Sequence, residues 1–361
     1  MAPSTVKTIG ILTGGGDCPG LNSAIKAAVH KICSHGFRVQ GILDGWRGLL
    51  EDRSDMITEL TDDKVRTIDR TGGTVLGTSR VTPYMTDDGR TRMLERMDAL
   101  DLHSLIVIGG NGTLAVANRL FNEHGVKVVG IPKTIDRDLS ATGYSLGFES
   151  AVQIVTDSID NLRATAGSHR RIFVMETMGR HTGHLALKGG IAGGAAVILI
   201  PEVPFEVERV CKILRKRHAA GLHYGIVVVA EGAYEKGSQA PHQSGQKDTY
   251  GHVRLGGISG YLAEEIESRT GLETRNVILS HLQRGGPPVA YDRRLGFYFG
   301  TAAAEATLSG LFGMMPSIKE GRVGMVSLDE AVGRLSAVDV RIDYDADTYC
   351  HSHRLLESAE E

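Results

Sequence analysis

Short runs of apolar residues alternate along the chain with longer stretches of helical periodicity. The runs predict strands over 6–12, 37–43, 105–108, 126–131, 172–176, 196–200, 225–230 and 276–279. Apolar positions three and four residues apart predict helices over about 22–35, from the GGNGT segment to 121, and over about 149–162 and 206–218. Each predicted strand is almost continuously apolar, which is typical of strands with helices on both faces.

Repeated strand–helix–strand units predict an α/β fold built on mostly parallel, doubly wound sheets. A length of 361 residues is enough for two such domains. The polar, glycine-rich stretch 235–252 interrupts this pattern, and we expect it to be a surface excursion.

Charge and cysteine usage exclude several functional classes. The formal net charge of -3 argues against nonspecific nucleic-acid binding, which needs a basic surface. The four cysteines match neither a zinc pattern nor a CxxC pair, so we expect reduced thiols. The apolar run 191–201 is too short to span a membrane, and no signal-peptide pattern is present. We therefore expect a soluble cytoplasmic protein.

Two glycine-rich segments each join a predicted strand to a predicted helix. TGGGDCPG covers 13–20 and GGNGT covers 109–113. Backbone N–H groups in such loops can approach a phosphate at the start of a helix, although plain tight turns are the alternative. No Lys-Ser/Thr pair follows the first loop, so it is not a Walker loop, and Pro19 breaks the dinucleotide-binding fingerprint.

The segment PKTIDRD, 132–138, places two carboxylates and two cations within seven residues. If the segment is extended, alternation puts Asp136 and Asp138 on the same side. One carboxylate could then accept a proton while the other holds Mg2+. Lys133 and Arg137 could neutralise phosphate charge. A solvated charged loop is the alternative.

Further cations follow or occupy later strands: Arg180 in MGRHTG, Arg275, and His281 with Arg284 in HLQRGG. A structural role is the alternative for a lone histidine, but an arginine beside a glycine pair favours anion binding. Glycine loops, paired aspartates and arginines together indicate phosphoryl transfer between two phosphorylated molecules, a reaction catalysed mainly by positioning and charge neutralisation.

In sequence, the segments ILTGGGDCPGLN, GGTVLGTSR, IGGNGT, PKTIDRD, ETMGRHTG, VVAEGA and LSHLQRGG have the order found in the 6-phosphofructokinase family. The similarity runs from about residue 9 to about residue 328, and the chain most resembles the actinobacterial branch. The resemblance implies two domains with the active site in the cleft between them. The donor domain would be 1–147 with about 283–333, and the sugar-phosphate domain 148–282 with about 334–361.

The resemblance also implies roles for individual residues. The donor-binding residues would be Gly15, Gly16, Arg80, Val81, Gly110, Asn111, Gly112, Thr113 and Lys133. The catalytic residues would be Asp136, the base for the sugar 1-hydroxyl, with Arg180, Thr134, Asp138 and Gly16. The sugar phosphate would be bound by Thr134, Ile135, Asp136, Arg171, Met178, Gly179, Arg180, Glu231, Arg275, His281, Leu282, Gln283 and Arg284. Mg2+ would be held by Asp138, with Asn111 a weaker, neutral partner.

In the family, the counterparts of Arg171 and Arg275 reach across from a neighbouring subunit. We therefore expect a homo-oligomer, a dimer or a tetramer, with shared active sites. Neither nucleic acid nor membrane is expected as a partner.

Two positions depart from the family pattern. Asn111 stands where an acidic residue is usual, and Arg137 where Asn is usual. The donor signal is mixed: Gly112 is typical of ATP-dependent members and Lys133 of pyrophosphate-dependent ones. We expect ATP, since a glycine leaves room for its α-phosphate and a long lysine can swing aside.

Alternatives remain for the function. They are a pyrophosphate-dependent enzyme, a kinase for another sugar phosphate such as sedoheptulose 7-phosphate, and a non-catalytic sugar-phosphate sensor. Asn111 and Arg137 favour the sensor, whereas the retained Asp136, Asp138 and Arg180 favour an enzyme.

Overall fold

A computed structural model describes residues 6–238, 243–247 and 253–351. The strands are β1 (Thr8–Thr13), β2 (Arg38–Ile42), β3 (Ile57–Leu60), β4 (Leu102–Gly109), β5 (Val128–Pro132), β6 (Ile172–Thr177), β7 (Val197–Leu199), β8 (Gly225–Ala230), β9 (Gln243–Lys247), β10 (Val253–Leu255), β11 (Thr274–Ile278), β12 (Met314–Lys319), β13 (Arg322–Ser327), β14 (Tyr344–Asp345) and β15 (Cys350–His351).

The α-helices lie mainly between these strands, as the sequence pattern predicts. They are α1 (Leu21–Cys33), α2 (Arg47–Leu50), α3 (Asp62–Val65), α4 (Gly89–Ala99), α5 (Asn111–His124), α6 (Phe148–His169), α7 (His184–Ala192), α8 (Val207–Ala219), α9 (Ile258–Thr270), α10 (Ala290–Leu308) and α11 (Leu328–Val332). Half of the predicted surface excursion, 239–242 and 248–252, lies outside the described residues.

The chain divides into two compact units. The first comprises the chain up to Ile135, Leu139–Ser150 and Arg284–Leu335; the second comprises Asp136–Asp138, Ala151–Gln283 and the chain from Ser336 onward. Which unit binds the donor and which the acceptor stays a prediction.

The first unit contains a seven-stranded sheet in the order β13-β12-β5-β4-β1-β2-β3. Its five inner strands are parallel, and the edge strands β3 and β13 are antiparallel to their neighbours. After β1 the chain adds β2 on one side of β1. It then crosses over and adds β4 on the opposite side of β1. The strand order therefore reverses between β1 and β4, and ligands of open α/β sheets bind beside the carboxyl ends of strands at such a point.

The second unit contains a parallel four-stranded sheet in the order β11-β6-β8-β7. Strands β6 and β8 are fully buried along their length, which explains their continuous apolar sequence. The loops that follow β6, β8 and β11 leave the same edge of this sheet, because parallel strands end together.

Both sheets confirm the predicted α/β class with mostly parallel strands. All four cysteines are free thiols, as expected. In the part of the chain that the structure describes, no helix is both long and apolar enough to cross a bilayer.

Candidate active site

The glycine loop after β1 packs tightly against its surroundings in the first unit. The N–H of Gly14 donates to the Ile108 carbonyl at 2.9 Å, and that of Gly15 donates to the Ser79 carbonyl at 3.0 Å. A Cβ on Gly14 would lie 2.7 Å from the Thr113 side chain, so glycine permits this close approach. These two amides are bonded within the protein, so in this structure they are not among the loop N–H groups that could approach a phosphate.

Two cations contact the carbonyl groups of the same loop. Lys133, only 4% exposed, donates from Nζ to the Gly16 carbonyl. Arg284 donates to the Asp17 carbonyl at 3.0 Å, and its guanidinium occupies the space that a Cβ on Gly16 would need. Lys133, which we expected to be able to swing aside for ATP, has a buried ammonium that is hydrogen-bonded to the loop in this structure. Arg284, predicted for the sugar-phosphate cradle, contacts the glycine loop here.

The GGNGT segment begins α5 at the switch point of the first sheet. Gly110 is extended, Asn111 is the first helical residue, and Thr113 is buried beside the glycine loop. Among the described residues, no atom outside the neighbouring turns of α5 lies within 4 Å of a Cβ placed on Gly112, so this side of the helix start is open.

The segment that precedes Arg80 and Val81 contacts the same loop. The Thr78 hydroxyl donates to the Gly15 carbonyl at 2.6 Å. Arg80 is exposed and Val81 half-buried. Most of the predicted donor-binding residues therefore lie on or beside the loop after β1.

The PKTIDRD segment is not extended through its aspartates. Thr134 and Ile135 are buried, and Arg137 has φ +54°, in the left-handed region. The chain therefore turns between Asp136 and Asp138, so the condition for alternation, an extended backbone, is not met and the alternation argument does not apply to this pair.

Asp136 is held in the second unit through its backbone. It is 8% exposed, and its carbonyl accepts a hydrogen bond from the Thr182 hydroxyl at 2.8 Å. Thr182 itself is fully buried and was not among the predicted site residues. Its place in the MGRHTG motif is the signal that could have found it.

The ends of β6 and β8 bring Arg180 and Glu231 together. The N–H of Arg180 donates to Glu231 Oε1 at 3.0 Å, while the N–H of Glu231 donates to the Thr177 carbonyl at 2.8 Å. Gly179 has φ +140° and Arg180 has φ +51°, so this turn is strained. The Arg180 side chain is exposed and available to a ligand phosphate.

Glu231 has an unusual protonation equilibrium. Burial is the largest cause that raises its pKa to about 7, and the negative charges of Asp136 and Glu176 raise it further. The hydrogen bond from the Arg180 backbone and the positive charge of Arg180 act in the opposite direction. Perturbed carboxylates of this kind are typical of functional sites.

A cavity of about 190 Å3 opens at this edge of the second sheet, and Glu231 and Met178 line it. The other lining residues are Glu176, Thr177, Gly256, Gly257, Ile278 and Ser280. Glu176 and the glycine pair were not among the predicted site residues, although Glu176 is the first residue of the ETMGRHTG segment.

The turn after β11 continues the same edge of the sheet. Gln283 is fully buried; its amide donates to the Ser280 carbonyl at 3.0 Å and its oxygen accepts from the Met178 N–H at 3.3 Å. His281 Nδ1 lies 3.0 Å from the Ser280 hydroxyl, and Leu282 is 69% exposed. Gln283 therefore joins two predicted substrate-binding segments.

Arg171 and Arg275 lie apart from this cavity, near the starts of β6 and β11. Glu273 pairs with both, at 2.8 Å from Arg171 and 2.6 Å from Arg275. The cavity is lined by residues near the ends of the same strands, so these arginines do not line it.

No cluster of three or more His, Cys, Asp or Glu side chains with metal-binding geometry occurs among the residues that the structure describes. Mg2+ usually keeps water and binds through one or two carboxylates plus substrate phosphates. Asp138 together with phosphate oxygens of the substrates would provide metal ligands of this kind.

A family model described as Phosphofructokinase matches residues 8–307. The chain belongs to the phosphofructokinase family. Phosphofructokinase activity, a phosphotransferase reaction of glycolysis, follows from this membership, and the resemblance of the sequence motifs is confirmed.

Curated members of the family with different donors are about equally similar to the chain. It is 48% identical to a pyrophosphate–fructose 6-phosphate 1-phosphotransferase of Streptomyces coelicolor over 332 residues, 92% of this chain and 96% of the relative. It is 46% identical to an ATP-dependent 6-phosphofructokinase 3 of the same organism over 331 residues, with 91% and 96% coverage. Overall identity therefore does not decide the donor.

Solved phosphofructokinase structures share the fold. The structure from Saccharomyces cerevisiae matches with a TM-score of 0.78 at 30% identity, over 91% of this chain and 45% of the yeast chain. A pyrophosphate-dependent phosphofructokinase from Nitrosospira multiformis matches with a TM-score of 0.82 at 21% identity, over 96% and 89% of the two chains. The second likeness supports the fold alone.

Proposed function

We propose that this phosphofructokinase transfers a phosphoryl group from ATP to the 1-hydroxyl of fructose 6-phosphate. The observation that carries the choice of donor is the open space around Gly112. A carboxylate at this position would repel the α-phosphate of ATP, whereas glycine at the start of α5 leaves room for it.

The proposed reaction assigns one task to each group. The oxygen of the 1-hydroxyl forms a bond to the γ-phosphorus, the bond to the β–γ bridging oxygen breaks, and ADP leaves. The carboxylate of Asp136 accepts the hydroxyl proton. Arg180 neutralises charge on the transferred group. Mg2+, held by Asp138 and phosphate oxygens, would supply further charge neutralisation.

Acceptor binding is assigned to the edge of the second sheet. Glu231 would accept hydrogen bonds from sugar hydroxyls, and Met178 and Gly179 would contact the sugar. His281, Leu282 and Gln283 follow β11 and would belong to the cradle of the 6-phosphate. Sedoheptulose 7-phosphate remains the alternative acceptor, because it also carries hydroxyls and a terminal phosphate.

One observation favours a second candidate, pyrophosphate as the donor. Lys133 is buried with its ammonium on the Gly16 carbonyl, so its charge is fixed beside the glycine loop. A fixed cation suits a compact, highly charged donor. It does not exclude ATP, whose terminal phosphates carry similar charge.

A kinetic screen tests the proposal. Purified protein is assayed with ATP or pyrophosphate against fructose 6-phosphate and sedoheptulose 7-phosphate, with aldolase-coupled detection. We expect the highest kcat/KM for ATP with fructose 6-phosphate, and a turnover about 10^2 to 10^4 lower for Asp136→Asn under the same conditions. A higher kcat/KM with pyrophosphate than with ATP would overturn the choice of donor, and no transfer from either donor would favour the sensor.

A further inference from the structure

Glu176 is a buried carboxylate that the proposed reaction does not use. It is 3% exposed at the end of β6, within the sheet that carries the acceptor cavity. Burying a carboxylate is costly unless strong hydrogen bonds replace its water. The partners of Glu176 therefore indicate what the protein gains from it.

Those partners all belong to the start of α9. Glu176 Oε2 accepts from the N–H of Gly257 at 3.1 Å, from the N–H of Ser259 at 3.1 Å and from the Ser259 hydroxyl at 2.9 Å. Oε1 accepts from the Gly257 N–H at 3.2 Å. The helix has no side-chain cap of its own and no acidic residue in its first turn. Glu176, from a distant part of the sequence, supplies both the side-chain cap and the negative charge at the start of this helix.

The glycine pair makes this contact possible. Gly256 has φ +131° and Gly257 has φ +90°, values that L side chains rarely adopt. A Cβ on Gly256 would lie 3.0 Å from Glu176 Oε1. Both glycines and Glu176 line the cavity together with Glu231.

We propose that Glu176 is a positioning residue for the acceptor. Its carboxylate fixes Gly256 and Gly257 in the cavity lining, and this fixes the shape of the cavity in which Glu231 binds the sugar. This inference rests on the proposed acceptor role of the cavity. Glu176 would control acceptor affinity without touching the transferred phosphoryl group.

Glu176→Gln is the primary test, because it preserves size and removes the charge. Fructose 6-phosphate binding is measured by calorimetry without a donor, and the KM values of acceptor and donor are measured separately. We expect the acceptor Kd and KM to rise about tenfold, and the donor KM to stay unchanged.

The pH dependence separates positioning from a merely structural role. Asp136, Glu176 and Arg180 are the charged groups that act on Glu231. Removing the charge of Glu176 lowers the pKa of Glu231, so the pH at which acceptor affinity is half-maximal should fall. Ser259→Ala keeps that charge, and we expect it to raise the acceptor Kd about threefold with no shift in pH.

Asp292→Asn is the matched control. Asp292 is fully buried in the first unit and accepts from the N–H of Gly147 at 2.9 Å and of Ser150 at 2.7 Å, at the start of α6. Its loss should lower Tm without changing the acceptor Kd.

An acceptor Kd within about twofold of wild type in Glu176→Gln would overturn the inference. Should that variant not fold, an unchanged Kd in Ser259→Ala would do so. Wild-type protein that binds fructose 6-phosphate but transfers no phosphoryl group would overturn the proposed function alone.

Discussion

At the scale of single residues, the side chain of Asp136 is assigned the chemistry while its backbone is held by Thr182. We expect Asp136→Asn to keep its fold, since the Thr182 hydrogen bond goes to the main-chain carbonyl. Turnover should fall by about 10^2 to 10^4, the usual contribution of a general base. Steady-state kinetics at saturating substrates and a thermal melt measure the two effects. A loss of less than about tenfold would show that Asp136 is not the base.

Glu231 gives a prediction for stability as well as for binding. Its pKa in the folded protein, about 7, lies above the ordinary value of 4.5. The folded state therefore holds a proton that the unfolded state has lost between these values, and this contribution to stability disappears as pH rises through 7. We expect Glu231→Gln to raise Tm relative to wild type at pH 8, by on the order of a few degrees, and to change it little at pH 4.

The same substitution should weaken acceptor binding at pH 8, because an amide accepts hydrogen bonds from sugar hydroxyls less strongly than a carboxylate. Calorimetric titration with fructose 6-phosphate and thermal melts at the two pH values measure both effects. An equal Tm difference at pH 4 and pH 8 would contradict the raised pKa.

At the scale of elements, the N-termini of two helices are capped by a carboxylate from another part of the chain. Backbone N–H groups at the start of α6 donate to Asp292, and those at the start of α9 donate to Glu176. Burial raises the pKa of Asp292, and the hydrogen bonds from Ser150 and Gly147 oppose that shift. No local sequence pattern predicts such caps, because helix-start signals are read from adjacent residues.

The sequence predicts all four strands of the second sheet, but only β1, β2, β4 and β5 of the seven strands of the first; β3, β12 and β13 are missed, and the helices are predicted unevenly. Continuous apolar runs identify β1, β4, β6 and β8, because burial on both faces leaves little choice of residue. The pattern sets no bounds for α10, whose Gly296 and Gly300 lie against α1; a Cβ on Gly296 would be 2.6 Å from Ser23 Cβ. Close helix packing through small residues weakens the apolar periodicity on which the prediction depends.

The candidate site likewise has parts that the sequence predicts and parts that it does not. Motifs with glycines and charges predict the loop after β1, the start of α5 and the turn at Arg180. The ETMGRHTG motif contains Glu176 and Thr182 but does not predict what they contact. Those contacts, like the contact of Arg284 with Asp17, depend on which loops the topology brings together.

The start of α5 gives a prediction for the donor. Gly112→Asp fits sterically, since among the described residues no atom outside the neighbouring turns of α5 lies within 4 Å of the new Cβ, and an acidic residue in the first turn favours a helix. We expect kcat/KM for ATP to fall about 10- to 100-fold through like-charge repulsion, and any activity with pyrophosphate to persist.

Gly112→Asn separates charge from size in that experiment, because it has the same shape without the charge. Kinetics with both donors measure the effect for each variant. An aspartate variant that keeps the wild-type KM for ATP would show that position 112 does not face the donor.

At the scale of the whole molecule, the question is whether Arg171 and Arg275 serve the active site of their own subunit or that of a second copy. Arg171 and Arg275 pair with Glu273 near the starts of β6 and β11, while Glu231 and Met178 line a cavity near the ends of strands in the same sheet. Two cations predicted for the acceptor phosphate therefore do not reach that cavity within their own sheet. A second copy of the chain is the source that the family resemblance suggests.

Subunit mixing tests this arrangement. Asp136→Asn and Arg275→Ala should each show little activity at a low acceptor concentration, the first through lost chemistry and the second through a raised acceptor KM. If sites are shared, a mixed dimer contains one site with both wild-type residues. Refolding or co-expressing the variants in equal amounts should then restore about a quarter of wild-type activity. Mixing Arg275→Ala with the double variant is the control and should restore none. Activity no greater than the sum of the separate variants would place Arg275 in the site of its own subunit or outside any site.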